Sequence, residues 1–414
     1  MKHFANLLNI ACAFIALASV GTATAAELRV ASWNISNYSG GRTTALENAI
    51  YGEFQGRSMT PDVMLGQEFL SQSAVDAFKV ILNAAPGSPG DWEAARFVNG
   101  PDTDSAFFYR TTRVQLATEL SADGVTVVSE GGVAPNHPRN VMRYDIRFDD
   151  GTANGARIAL YSTHMKAGST STDQARRLVE AQKIRDDAEA LPAGWLFLIG
   201  GDFNVQSSTQ AAYIELVGSQ VNNDGRFFDP INTPGSWNNN SAFRIVHTQD
   251  PAGAGGMDDR HDQLLISGGL IDGAGVDYVG NAAIPYSTTT WNDSNHSYRS
   301  WGNDGTSFNV SLTITGNTMV GATIAQALVD AAAGAGHLPV FLDLRVPPCL
   351  GDWDCDSDTD ADDYQAFPDC VSGPAEQPGF LSPSETCLAG YDLDIDGDVD
   401  LHDFLLFIEL SGTP

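Results

Sequence analysis

Seven polar side chains stand at the ends of strand-like runs, where loops can present them to one cleft. Asn34 closes Leu28-Arg29-Val30-Ala31-Ser32-Trp33-Asn34, and Glu68 follows Val63-Met64-Leu65-Gly66-Gln67. His164 follows Tyr161-Ser162-Thr163, Asp202 and Asn204 follow Gly200-Gly201, Asp262 precedes Leu264-Leu265-Ile266-Ser267, and His337 precedes Leu338-Pro339-Val340. Singly, each has an ordinary explanation: a hydrogen-bonded structural His, an Asp capping a turn, a solvated Glu. Together, in mixed acid, amide and imidazole types, they are much harder to dismiss as structural residues.

The elements that must position them alternate in type. Ser105-Ala106-Phe107-Phe108-Tyr109, Arg157 to Ser162, Trp195 to Gly200 and Val340 to Leu344 also read as strands. Between them, Leu178, Ala181, Ile184 and Ala188 share one helical face over Ser171 to Ala190, with Arg176, Arg177, Lys183, Arg185, Asp186 and Asp187 as polar surroundings. Strands interleaved with helices predict an α/β (α+β) fold with helices covering sheet faces. Pro347-Pro348 ends the large domain.

The two ends of the chain differ from its middle. Lys2 and His3 precede a charge-free apolar run from Leu7 to Val20, and Ala23-Thr24-Ala25 supplies a small-x-small cleavage pattern. Residues 1–26 therefore read as a signal peptide, and the protein as secreted, periplasmic or at the cell surface. No later stretch is apolar enough for a transmembrane segment. The net charge is −30, yet the residues from Cys349 onward hold 17 Asp plus Glu and no Lys or Arg, leaving −13 for the rest. Cys349, Cys355, Cys370 and Cys387 also lie in that tail, an even set that suggests two disulfides with three possible pairings.

Ser32-Trp33-Asn34, Gly66-Gln67-Glu68, Thr163-His164-Met165-Lys166, Gly201-Asp202-Phe203-Asn204, Arg260-His261-Asp262 and His337-Leu338-Pro339-Val340 resemble, in order, the motifs of the endonuclease/exonuclease/phosphatase superfamily (deoxyribonuclease I-like). The resemblance covers residues 27–346. It implies a four-layer αββα sandwich with the active site along one edge. Glu68 and Asn34 would hold Mg²⁺ or Mn²⁺, and His337, held by Asp262, would align or deprotonate the attacking water. Asp202 and Asn204 would orient the nucleophile, and His164 would donate to a phosphate oxygen or the leaving group. Arg139 and Tyr109 fall where relatives contact phosphate, and Asp104 is a candidate partner for His164. Relatives carry a carboxylate just before the last His, where this chain has Gly336; restoring Asp there is expected to keep or raise activity and tighten metal dependence.

Residues 352–363 and 392–403 repeat at an offset of 40 positions. Each places Asp at loop positions 1, 3, 5, 7, 9 and 12: Asp352, Asp354, Asp356, Asp358, Asp360 and Asp363, then Asp392, Asp394, Asp396, Asp398, Asp400 and Asp403. Alternating carboxylates in a tight loop suit Ca²⁺. Residues 347–414 resemble a dockerin type I module, a small, mostly helical calcium-loop unit. The resemblance implies a cohesin-like or cell-surface partner, although Ala361-Asp362 and Leu401-His402 depart from the usual pair at positions 10 and 11.

The expected activity is that of a secreted, divalent-metal-dependent phosphodiesterase with a phosphodiester substrate, nucleic acid first. The alternatives are a phospholipid or sphingomyelin phosphodiesterase, a small-phosphoester phosphatase, and a catalytically degenerate binding domain tethered by the calcium module.

Overall fold

The computed structural model describes residues 26–148, 156–253, 255–273 and 275–346. Of the C-terminal segment it describes 351, 353, 359, 361–374, 377, 380, 383–394 and 396–411. The signal-peptide expectation and most of the first acidic loop lie outside the described residues.

In chain order, β1 (Ala26–Tyr38), α1 (Thr43–Tyr51), β2 (Val63–Phe69), α2 (Gln72–Ala84), β3 (Trp92–Ala94), β4 (Asp104–Arg110), β5 (Val114–Leu116), β6 (Val125–Ser129) and β7 (Val141–Phe148) come first. Then follow β8 (Arg157–His164), α3 (Ser171–Glu189), β9 (Leu196–Asp202), α4 (Ala211–Val217), β10 (Phe227–Phe228), β11 (Asp262–Ser267), β12 (Asp277–Tyr278), β13 (Arg299–Ser300), α5 (Gly321–Ala331) and β14 (Val340–Val346). Two mixed sheets result. One runs β12-β14-β1-β2-β4-β3 with β13 on β14, the other β10-β11-β9-β8-β7-β5 with β6 on β7.

Side-chain alternation stacks these sheets. On β1, Leu28 and Val30 enter one apolar cluster with Val63, Leu65, Phe107, Leu160, Leu198, Leu264 and Leu342, drawn from both sheets. The intervening Ala31 and Trp33 face the other way, among Leu46, Ile50, Phe78, Ile324 and Leu328 of α1, α2 and α5. Ala159, Tyr161, Phe197 and Ile199 pack outward against Ala181 and Ile184 of α3 and Leu216 of α4. Period-two strands buried on both faces force this helix–sheet–sheet–helix order, the four-layer sandwich expected from the sequence.

The α3 boundaries match the expected helix, but its buried face does not. Arg177, Glu180 and Arg185 are buried with Ala181, Ile184 and Ala188, whereas Leu178 is only half-buried. These arginines were expected among the polar surroundings. They are buried because loop carbonyls end against the helix: Arg185 donates to the carbonyls of Glu215, Gly218 and Asn222, and Arg177 to those of Lys166 and Gly168. Trp301 is core as well.

In the tail, α6 (Ala361–Tyr364), α7 (Phe367–Cys370), α8 (Glu385–Tyr391) and α9 (Leu401–Ser411) surround a small core of Phe367, Tyr391, Val399 and Phe407. A Cys370–Cys387 disulfide joins α7 to α8. The repeat is visible in the backbone: Asp403 accepts the Leu393 N–H and Asp363 the Trp353 N–H, each pair 40 positions from the other.

Arg185→Leu strips three loop carbonyls of the buried guanidinium that binds them. It is expected to cost about 3 kcal/mol, read as a lower urea midpoint at unchanged m-value.

Candidate active site

All seven polar residues converge on one edge of the sandwich, and strand register brings them there. Parallel pairing of β8 with β9 sets His164 opposite Asp202, and antiparallel pairing of β9 with β11 sets Asp202 opposite Asp262. In the other sheet, β1 and β2 run parallel in regular register as far as Asn34 and Gln67. The ladders of β2 with both neighbours then shift register, between Asn34 and Tyr38 on β1 and between Gly66 and Phe69 on β2. Such bulges re-aim side chains at sheet rims. Here Glu68 adopts φ +64 and Asn204 φ +51, left-handed conformations that non-glycine residues hold at a cost where the surroundings dictate them. Gly201 is required: a Cβ there would lie 1.9 Å from the Thr163 carbonyl oxygen.

Asp202 is the hub. Its Oδ2 lies 3.3 Å from His164 Nε2 and 3.7 Å from His337 Nε2, and accepts from Asn34 Nδ2 at 3.2 Å. Its Oδ1 accepts the Asn204 N–H at 3.0 Å. Asn34 Nδ2 also donates to Glu68 Oε1 at 3.0 Å, while Glu68 Oε2 accepts the Asn37 N–H at 2.8 Å. The amide of Asn34 thus sits between two carboxylates, where positive charge is favoured. One carboxylate, one amide and a second carboxylate alongside suit a hard cation that keeps several exchangeable ligands.

His337 is gripped from several sides. Its Nδ1 bonds Asp262 Oδ2 at 2.8 Å, and its carbonyl accepts from Trp33 Nε1 at 2.9 Å. Thr248, which no motif singles out, completes the grip. Its Oγ1 donates to the same Asp262 oxygen at 2.7 Å and accepts the Asp262 N–H at 3.1 Å, and its carbonyl accepts from Leu338 N at 2.8 Å. Burial opposes charge on His337, but Asp262 and Asp202 outweigh it and lift the imidazole to about 10. Burial likewise opposes charge on Asp202, yet His337 and His164 hold it down to about 2. For His164 burial prevails over Asp202, and the imidazole falls below its ordinary value.

The remaining expectations divide. Arg139 reaches the site: its Nη1 lies 3.4 Å from the His164 carbonyl, its Nε donates to Thr103 Oγ1 at 3.0 Å, and its Nη2 faces Asp102 at 3.3 Å. Tyr109 does not. It pairs with Val63 at the far end of β2, whereas Asp104 at the other end of β4 pairs with Phe69 beside Glu68. Its ring stacks on Phe107 in the inter-sheet core. Asp104 accepts the Gly100 N–H at 2.7 Å and makes no hydrogen bond to His164.

Gly336 overturns the expectation attached to it. It has φ +65, and a Cβ there would lie 2.4 Å from both the Ala332 carbonyl oxygen and the Ala332 Cβ. The residue before His337 is therefore a backbone necessity, folding the chain tightly from the end of α5 into β14.

No family model and no curated protein matches the chain. Among solved structures it is similar to an endonuclease/exonuclease/phosphatase family protein from Bacteroides thetaiotaomicron, at 16% identity and TM-score 0.44, over 78% of this chain and 98% of that one. The human Nocturnin catalytic domain is 14% identical, with TM-score 0.42, over 77% and 94%. A mannosyl-6-phosphatase from Bacteroides thetaiotaomicron is 16% identical, with TM-score 0.42, over 77% and 99%.

Gly336→Asp is expected to lower the melting temperature by several degrees, since strain and overpacking together cost about 2–4 kcal/mol, and to lower activity with it. Calorimetry and a phosphoester assay on the purified variant check both. A variant as stable and active as the parent would contradict the steric account.

Proposed function

We propose that this chain is an exported phosphoester hydrolase that works with a bound divalent cation, Mg²⁺ or Mn²⁺. The observation that carries the reading is the buried carboxylate of Asp202, shared by two imidazoles and by the amide that bridges to Glu68. Glu68 and Asn34 would hold the cation, which supplies Lewis-acid neutralisation of charge on the phosphate. The other residues act on water and on the leaving group. Asp202 and the Nε2 edge of His337 address one point, where the imidazolium that Asp262 and Asp202 favour can align a water and donate toward the phosphate. Asp262 and Thr248 fix the ring that does this. His164 and Arg139 lie on the far side of Asp202, placed to donate to phosphate oxygens as the bond to the leaving oxygen breaks in line. Export rests on the apolar leader and Ala23-Thr24-Ala25.

Assay of the full chain with Mg²⁺, Mn²⁺ or Ca²⁺ against plasmid DNA, RNA, bis(p-nitrophenyl) phosphate, a sugar phosphate and sphingomyelin tests the reading. Turnover of at least one substrate is expected, with His337→Ala and Glu68→Gln each lowering kcat about 10³-fold or more. Wild type indistinguishable from His337→Ala on every substrate sinks it.

The second acidic loop is proposed to bind Ca²⁺. Carboxylate oxygens of Asp392, Asp394 and Asp403, and of Asp398, Asp400 and Asp403, lie within 4.8 Å of one another. Asp392 already accepts the N–H groups of Asp396 and Gly397 at 3.0 Å, and Gly397 turns the loop at φ +90. Isothermal titration is expected to show Ca²⁺ binding that Asp403→Asn weakens at least tenfold, as loss of the ligand at position 12 should. The absence of any heat at large calcium excess would refute it.

A further inference from the structure

The charges around the site decide what can flank the reacting phosphate. Four cations lie against the catalytic residues, and all four are held by the protein. Arg139 is shared among Thr103, the His164 carbonyl and Asp102. Lys166, two residues past His164, donates to the Ala167 carbonyl at 2.6 Å and faces Asp173 at 3.2 Å. Arg177 is fully buried on the carbonyls of Lys166 and Gly168 and on Gln210. On the Glu68 side, Arg42 donates to the Ala331 and Ser36 carbonyls and lies 5.1 Å over the Tyr38 ring.

Carboxylates occupy both flanks. Asp102 meets Arg139 on the His164 side with its own side chain 45% exposed. Beyond His337, Asp250 donates its N–H to the Gly336 carbonyl at 2.9 Å, and Asp259 lies 3.6 Å from His261, next to Asp262.

Proteins that bind nucleic acid neutralise several backbone phosphates with Lys and Arg, commonly six to ten in tight duplex complexes. A strand crossing this edge would bring its neighbouring phosphates toward Asp102 on one flank and Asp250 on the other. Among the described residues, no cation left uncommitted by the fold stands ready to receive them. Arg139 and one divalent cation match a single phosphate.

Resting on the phosphoesterase reading above, we propose that the substrate carries one phosphate ester flanked by uncharged groups, a low-molecular-weight ester of a sugar or other neutral alcohol. Nucleic acid is disfavoured by the fixed charge of the rim.

The test compares kcat/KM of the full chain, with Mg²⁺ or Mn²⁺, on hexose phosphates and bis(p-nitrophenyl) phosphate with that on single- and double-stranded 20-mer oligonucleotides, between 20 and 200 mM NaCl. Binding of fluorescent 20-mers to Glu68→Gln protein is measured by anisotropy alongside. A preference of tenfold or more for the best small ester, with oligonucleotide dissociation constants above about 100 µM, is expected. A smaller preference, or tighter oligonucleotide binding that weakens steeply with salt, overturns the substrate assignment and leaves the phosphoesterase reading standing. No turnover of any phosphoester sinks both.

Discussion

One buried carboxylate organises this protein's chemistry. Asp202 is almost fully enclosed and touches groups from three directions: the histidine on the neighbouring strand, the histidine ahead of β14, and the amide at the end of β1. An isolated charge in such a place would be costly. Here its cost is offset by charged and polar partners that are themselves held elsewhere, His337 by Asp262 and Thr248, Asn34 by Glu68 and the Ser36 N–H. Because those partners come from both sheets, the site can exist only when the two sheets are stacked in register.

Backbone shape carries as much of the design as side chains do. The bulges at the ends of β1 and β2 turn Glu68 inward, and Gly201 lets β9 pass within contact of the Thr163 carbonyl. Gly336 plays the same part ahead of His337. A carboxylate at that position, however useful to a cation, would need space already taken by Ala332. The groups proposed to hold a cation lie on the β1 and β2 side of the cleft, and the residue before His337 serves geometry.

Buried arginines hold the frame around this edge. Arg260 pairs with Asp229 through two contacts of 2.8 and 2.9 Å and lies over Trp237, anchoring the segment that delivers His261 and Asp262. Arg177 and Arg185 gather the carbonyls of loops that pass over α3. Such pairs and networks specify one arrangement more than they add stability. They also consume the basic residues of an acidic chain, which is why the rim of the cleft is poor in available positive charge.

The principal strands, the α/β class, the α3 boundaries and the seven polar residues at strand ends were legible in the sequence, because alternation, helical period and residue type are local properties. The acidic repeat was legible for the same reason, as a fixed spacing. Tertiary structure alone decided which of these residues meet. Tyr109 sits one strand length from the site because β4 runs antiparallel to β2, and Asp104 answers a backbone N–H instead of His164. Thr248 carries no motif, and only the pairing of its segment with the residues around His337 brings its hydroxyl to Asp262. Gly336 looked like a missing acid and proved to be a required turn, since backbone torsion and close approach are set by what packs alongside. Sequence determined which chemistry was available; long-range register and burial determined which groups could use it.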